Sequence, residues 1–310
     1  MTNARFRVEL LGVVRAWRDG VEVDLGTARQ RAVFALLALR AGQTASRDEL
    51  IDGVWGDAPP ATAGAGLYTY VSGLRRALEP DRPKRSTGVV LTSAGSGYCL
   101  RVPVDAVDVH RFERHRDRAR RSADLDPASA LAELDRALAL WRGEALSGVP
   151  GPFAESQRSR LHELRLATAE RRAEAALAVG RHEDVIADLA ALTREHPVRE
   201  GLHALLMTAL HRAGRQAEAL EVYHEARRVL VEESGIEPGV ALRQAHRAVL
   251  EDKAEDVPAP RVAAAPPMTV VEPAVFAGRD DEVAVLRAAV SDLAAGRGGA
   301  VCVEGEPGIG

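Results

Sequence analysis

Between residues 62 and 78, small hydroxylated and basic residues recur at helical spacing. At 100° per residue, Thr62, Ala65, Thr69, Ser72, Gly73 and Arg76 fall on one side, and Leu67, Val71, Leu74 and Leu78 form a narrow apolar stripe on the other. A helix whose outer face carries no bulky side chain can approach the base edges in the major groove of a duplex. Arg75 and Arg76 supply guanidiniums that pair with phosphate or read guanine bidentately. Thr62 stands at the helix start, where free backbone amides favour a phosphate, and Tyr68 flanks the face. Arg47 opens the preceding helix and is placed for a backbone contact. Ser93 and Ser96 lie in Ser93-Ala94-Gly95-Ser96-Gly97, read as a flexible, uncharged hairpin tip suited to an adjacent groove or phosphate strand. Arginines alone would merely solvate a helix end. The charge distribution adds weight: residues 1–102 hold 14 basic and 10 acidic residues, residues 103–310 hold 27 and 35, and Arg82, Lys84 and Arg85 follow the helix directly.

A second group ends the sequence. Ala300–Val303 reads as a strand leading into Gly305-Glu306-Pro307-Gly308-Ile309-Gly310, in which Gly305 and Gly310 match both glycines of G-x-x-x-x-G-K-[ST]. The lysine and hydroxyl residue that complete a phosphate-binding loop are absent. The chain is therefore expected to hold no cofactor and to be no enzyme. ATP and Mg²⁺ are expected only of a continuing NTPase domain. The nine histidines show no zinc spacing, so no metal site is expected, and His110 and His115 read as solvated. Trp17, Trp55 and Trp141 read as packing residues, and 4% aromatic content argues against a single-strand stacking platform. Cys99 and Cys302 are the only cysteines, which points to a reducing cytoplasm. The longest apolar run, Ala32–Leu39, is far short of a membrane span, so no membrane partner is expected.

The elements that must position these residues follow from periodicity. Residues 5–25 alternate, with Asp19-Gly20 as a hairpin turn, and predict a small antiparallel sheet. Thr27–Ala41 reads as a helix ending at Gly42, and Ser46-Arg47-Asp48-Glu49 is a capping box that starts the next, stopped by Gly56 and Pro59-Pro60. Val89–Thr92 and Tyr98–Val102 read as two short strands. From about Asp105 to Lys253 everything reads as helix. Within it, Gly180-Arg181 and Gly214-Arg215 lie 34 residues apart, the period of a tetratricopeptide helix pair, and a weaker unit surrounds Ala128–Trp141. Five prolines in 256–275 mark an exposed linker, and a helix is expected to follow Phe276–Glu282 as far as about Ala295. The expected divisions are 1–102, 103–253, a linker at 254–275, and the start of a P-loop domain at 276–310.

Several segments in combination resemble the Streptomyces antibiotic regulatory protein family. They are Gln30-Arg31-Ala32, the run from Ser46 to Asp57, Pro59-Pro60-Ala61-Thr62, Tyr70-Val71-Ser72-Gly73-Leu74-Arg75-Arg76-Ala77-Leu78, and Gly97-Tyr98-Cys99-Leu100. His196–Glu200 and Gly235-Ile236-Glu237-Pro238 fit the family's second part. The resemblance implies a mainly α fold with small β-sheets: an OmpR-like winged helix-turn-helix, then an all-α, tetratricopeptide-like bacterial transcriptional activation domain. It implies an activator that binds direct repeats in double-stranded promoter DNA of secondary-metabolite genes, in tandem or as a dimer, and recruits RNA polymerase holoenzyme through its sigma and alpha subunits. Larger members carry an NTPase domain where Gly305–Gly310 lies. One departure concerns Gly73, where members often carry a basic residue, so direct readout there is in question. With only five residues before the first strand, no receiver module is expected in front, and control is expected from the C-terminal side, from abundance or from modification. The rival reading is a protein-interaction scaffold at the front of a signalling NTPase.

Overall fold

The computed structural model describes residues 5–81 and 88–255, and helical backbone at 284–285, 287–288 and 291 in a separate unit that begins at Val257. The linker, Gly305, Gly310, Arg82, Lys84 and Arg85 lie outside the described residues.

Alternation at the N-terminus produces an antiparallel sheet of β1 (Phe6–Glu9), β2 (Arg15–Arg18) and β3 (Val21–Val23), paired in chain order. Asp19 and Gly20, at φ 51° and 85°, turn β2 into β3. Val8 and Ala16 pair on the face that enters the core, while Arg7, Trp17 and Glu22 share the other. Trp17 thus packs at the surface, between the guanidiniums of Arg7 and Arg15 at 4.4 and 4.9 Å.

Helix α1 (Ala28–Leu39) is capped by Thr27 and buries seven consecutive residues from Ala32 to Ala38, so it forms the middle of the core. α2 (Arg47–Trp55) starts with the expected capping box: Ser46 Oγ accepts from Glu49 N (3.1 Å) and Ser46 N donates to the Glu49 carboxylate (2.8 Å). Arg40 also pairs with Glu49, and together these partners hold its carboxyl down at about 2. α3 spans Ala63–Leu78. Three short strands, β4 (Thr44–Ser46), β5 (Leu91–Ala94) and β6 (Gly97–Leu100), form a second sheet in the order β4-β6-β5.

The flexible tip expected at 93–97 is instead a tight turn, Gly95-Ser96, because Ala94 and Gly97 are already paired. Pairing on both sides of β6 draws the backbones together: a Cβ on Gly97 would lie 2.1 Å from the Ala45 carbonyl oxygen. Ser96 is also tied down, its carbonyl accepting from Arg47 N at 3.3 Å.

After a 3₁₀ turn (Val104–Ala106) come α4 (Asp108–Ser122), α5 (Pro127–Leu138), α6 (Pro152–Ala178), α7 (Glu183–Glu195), α8 (Glu200–Arg212), α9 (Gln216–Val229) with a π-helical turn at Leu230–Ser234, and α10 (Val240–Glu255). Gly180 and Gly214, at φ 78° and 74°, close α6 and α8 at equivalent points of the 34-residue repeat. The helical reading of 105–253 needs one correction. Residues 139–151 form a loop in which Gly143, Leu146, Gly148 and Gly151 all have positive φ, a backbone no helix can hold. A second correction concerns His110 and His115. They are mostly buried rather than solvated, because the face of α4 that carries His115 packs on α5; His115 Nδ1 lies 2.6 Å from a Glu133 oxygen, and His110 Nδ1 lies 3.7 Å from a Glu113 oxygen.

The division expected at residue 102 is not a gap in packing. Leu10, Leu11, Leu37, Phe112, Leu146 and Leu161 belong to one continuous core. The 139–151 loop docks on the end of β1: Arg142 N donates to Leu11 O (2.8 Å), Leu146 N to Leu10 O (2.8 Å) and Ser147 N to Gly12 O (3.0 Å). Asp108, 1% exposed, completes the seam by accepting from Leu10 N (2.9 Å) and Leu11 N (3.0 Å). A second core, including Leu189, Leu202, Leu206, Met207, Leu210 and Leu242, holds the later helices together.

Candidate nucleic-acid interface

The apolar stripe of α3 is buried as its spacing requires: Leu67, Val71, Leu74 and Leu78 are each at most 1% exposed. α3 packs chiefly on α1, α2 and β5, and Trp55 of α2 stacks on Tyr70 at 6.0 Å. That packing turns the opposite side to solvent. Thr62, Ala65, Tyr68, Thr69 and Arg76 are exposed, and Ser72 is half-buried at the edge.

The polar groups on this side differ in how free they are. Thr62 immediately precedes the helix and its hydroxyl makes no cap bond. Thr69 Oγ1 donates to Ala65 O of its own helix (3.0 Å). Arg76 has no ion-pair partner among the described residues, so its guanidinium is available to a polyanion. Gly73 is half-buried and points toward α1: a Cβ there would come 2.9 Å from Gln30 Nε2. The missing side chain at 73 is therefore matched by a neighbour lying across the position.

Arg75 is placed differently from its neighbour. Its Nε donates to Leu91 O (2.8 Å) and its Nη2 to Ser93 Oγ (2.9 Å), and its guanidinium sits 5.6 Å from the ring centroid of Tyr98. Exposed Arg47 lies 5.9 Å from the same ring. Arg47, Ser93, Ser96 and Tyr98 thus meet beside the C-terminal half of α3, and the hairpin forms a wing flanking the helix. Thr62 lies at the other end of α3, away from this cluster.

Three residues of the interface escaped the sequence reading or were undervalued in it. Tyr98 is read there only as a strand residue, yet it is the ring between Arg47 and Arg75. Glu79 accepts from Val89 N (2.7 Å) and Val90 N (3.1 Å) and anchors the start of the wing, a contact across residues that no periodicity reveals. Tyr68, 68% exposed, presents the largest ring on the outer face of α3. Chemically, this surface offers guanidiniums, hydroxyls and one exposed phenol on a rigid helix beside a rigid hairpin, a donor-rich face suited to phosphates and base edges.

Among the described residues no helix is long and apolar enough to cross a membrane, and no cluster of side chains has the make-up of a metal site.

Comparison with known proteins agrees with this arrangement. Residues 20–100 match the family described as "Transcriptional regulatory protein, C terminal", and residues 107–250 match the "Bacterial transcriptional activator domain". Regulatory protein AfsR of Streptomyces coelicolor is 44% identical over 253 residues, which cover 80% of this chain and 24% of AfsR, so the chain spans about a quarter of that relative. Regulatory protein DnrI of Streptomyces peucetius is 38% identical over 267 residues, covering 84% of this chain and 97% of DnrI. The solved structure of Mycobacterium tuberculosis EmbR in complex with a low affinity phosphopeptide superposes with a TM-score of 0.75 at 35% identity, covering 81% of this chain and 66% of that one. With a wing and helix of this geometry, an adjoining helical activator domain and a match along nearly all of DnrI, the chain belongs to the Streptomyces antibiotic regulatory protein family of transcriptional regulators.

Proposed function

We propose that this chain is a sequence-specific activator of transcription that inserts α3 into the major groove of promoter DNA, lays the β5–β6 wing beside it, and uses the helical region to engage RNA polymerase holoenzyme. The observation that carries the reading is the two-sidedness of α3. Its apolar stripe is completely withdrawn from water, while Thr62, Thr69 and Arg76 face outward and the wing is docked beside the C-terminal half of the helix. In this reading the chain acts by binding. The genes served are those of secondary metabolism, by analogy with the relatives, and the operator is a pair of direct repeats occupied in tandem. Sigma and alpha subunits are the proposed polymerase contacts. ATP and Mg²⁺ are proposed only for an NTPase domain to which Gly305 and Gly310 would contribute phosphate-loop glycines.

An electrophoretic shift assay with residues 1–310 and duplexes from promoters neighbouring the gene tests this reading. Tight, sequence-selective binding that weakens steeply with salt is expected. Equal, weak binding to every duplex would refute it and favour a protein-interaction scaffold.

A further inference from the structure

Resting on the reading that α3 enters duplex DNA, we propose that Arg75 is a positioning residue that locks the wing onto the recognition helix, and that it does not itself read the DNA. Two acceptors on β5, Leu91 O at 2.8 Å and Ser93 Oγ at 2.9 Å, occupy the Nε–Nη2 fork of its guanidinium. That fork is one of the edges with which arginine recognises phosphate or guanine bidentately, and here two protein acceptors hold it. The same guanidinium lies 5.6 Å over the Tyr98 ring on β6, so Arg75 reaches both strands of the wing. One helical turn later, Glu79 takes the amide protons of Val89 and Val90. Arg75 and Glu79 therefore grip the segment 89–93 with opposite polarity, one donating and one accepting. Arg47, across Tyr98, and Arg76, the next residue on α3, have no carboxylate partner among the described residues and remain exposed.

Of these three arginines, one is spent on the protein and two are open to phosphate. Helix and wing touch neighbouring stretches of a duplex, so their mutual angle decides whether both can engage together. A side chain that fixes this angle before binding removes an ordering cost from association.

The experiment compares Arg75→Ala, Arg75→Lys and Arg76→Ala in the full chain by fluorescence anisotropy over a salt series on the promoter duplex, with amide hydrogen exchange and thermal melting of the free protein alongside. Lysine keeps the charge but cannot span Leu91 O and Ser93 Oγ together. Both Arg75 variants are expected to lose about tenfold in affinity at every salt concentration, with the slope of log Kd against log salt unchanged. Amides of residues 91–100 should exchange faster while the melting temperature stays near wild type. Arg76→Ala should instead lower the salt slope by about one phosphate contact.

Restoration of binding by lysine, a reduced slope in Arg75→Ala, or unchanged wing exchange would overturn the proposal. So would a lower melting temperature with unaltered affinity, the mark of a role in stability alone. If the wild-type chain shows no duplex binding, the functional reading fails, yet the exchange measurement on the free protein still decides whether Arg75 holds the wing.

Discussion

Asp108 offers a quantitative test of the seam between the winged helix and the helical region. Its carboxylate is buried and accepts from Leu10 N and Leu11 N, residues almost a hundred positions away in sequence. Burial raises its pKa from 3.8 to about 6, against the opposing pull of the amides of Leu11, Leu10 and Val109 and of the nearby Arg111 charge. A carboxyl whose folded pKa is raised stabilises the fold fully below its unfolded pKa. That contribution is lost as pH rises through the folded value. A displacement of about two pH units corresponds to about 3 kcal/mol, withdrawn between about pH 4 and pH 6. The Asp108→Asn variant mimics the protonated acid and cannot titrate. Its stability relative to wild type should therefore improve by about 2 kcal/mol between about pH 4 and about pH 6.5, whatever fixed offset the amide introduces. Urea denaturation of both proteins across this range measures the difference directly, and the many other carboxylates cancel in it. A difference that stays flat with pH would show that Asp108 is ionised and solvated alike in both states. Burial would then not govern its titration, and the raised pKa would be refuted.

Other perturbations follow from the same geometry. Leu74→Ala removes a fully buried side chain beneath the recognition helix and should cost about 2–5 kcal/mol in chemical denaturation, whereas a loss under about 1 kcal/mol would mean the stripe is not packed as described. Ser46→Ala breaks one half of the α2 capping box and should cost about 1 kcal/mol, measurable by thermal melting. Gly97→Ala forces a Cβ against the Ala45 carbonyl and should disrupt β4–β6 pairing, seen as lost exchange protection at 97–100 with the α6–α10 amides unaffected. A fragment of residues 1–102 lacks Asp108, Phe112, Leu146 and Leu161 and should show no cooperative melt. A sharp transition in that fragment would contradict the shared core.

Much of this was legible in the sequence because it depends on local rules. The α3 stripe, the Ser46–Glu49 box, the Asp19-Gly20 turn and the Gly180–Gly214 repeat each follow from periodicity or backbone stereochemistry within a few residues. What escaped reading depends on partners far along the chain. Arg75 and Arg76 are adjacent and chemically identical, yet one is bound to the wing and the other is exposed without an ion-pair partner among the described residues. Only the docking of β5 beside the last turns of α3 separates them. The tight Gly95-Ser96 turn follows from the Ala94–Gly97 pair that closes β5 onto β6, and the 139–151 loop owes its course to carbonyls on residues 10–12. Composition and fold type both change at residue 102, which marks a division there. A buried carboxylate reaching back to β1 leaves no such mark in composition.

The central claim is that the exposed side of α3 lies in the major groove. Guanine-N7 methylation protection on the neighbouring promoter, comparing the wild-type chain with Arg76→Ala, addresses it most directly. Protected guanines repeated in tandem on one face of the duplex are expected for wild type, with the same pattern reached only at higher protein concentration in the Arg76→Ala variant, whose helix content is unchanged. Protection reached at the same concentration in both proteins, or no major-groove protection under conditions where the wild-type chain is bound, would contradict the claim.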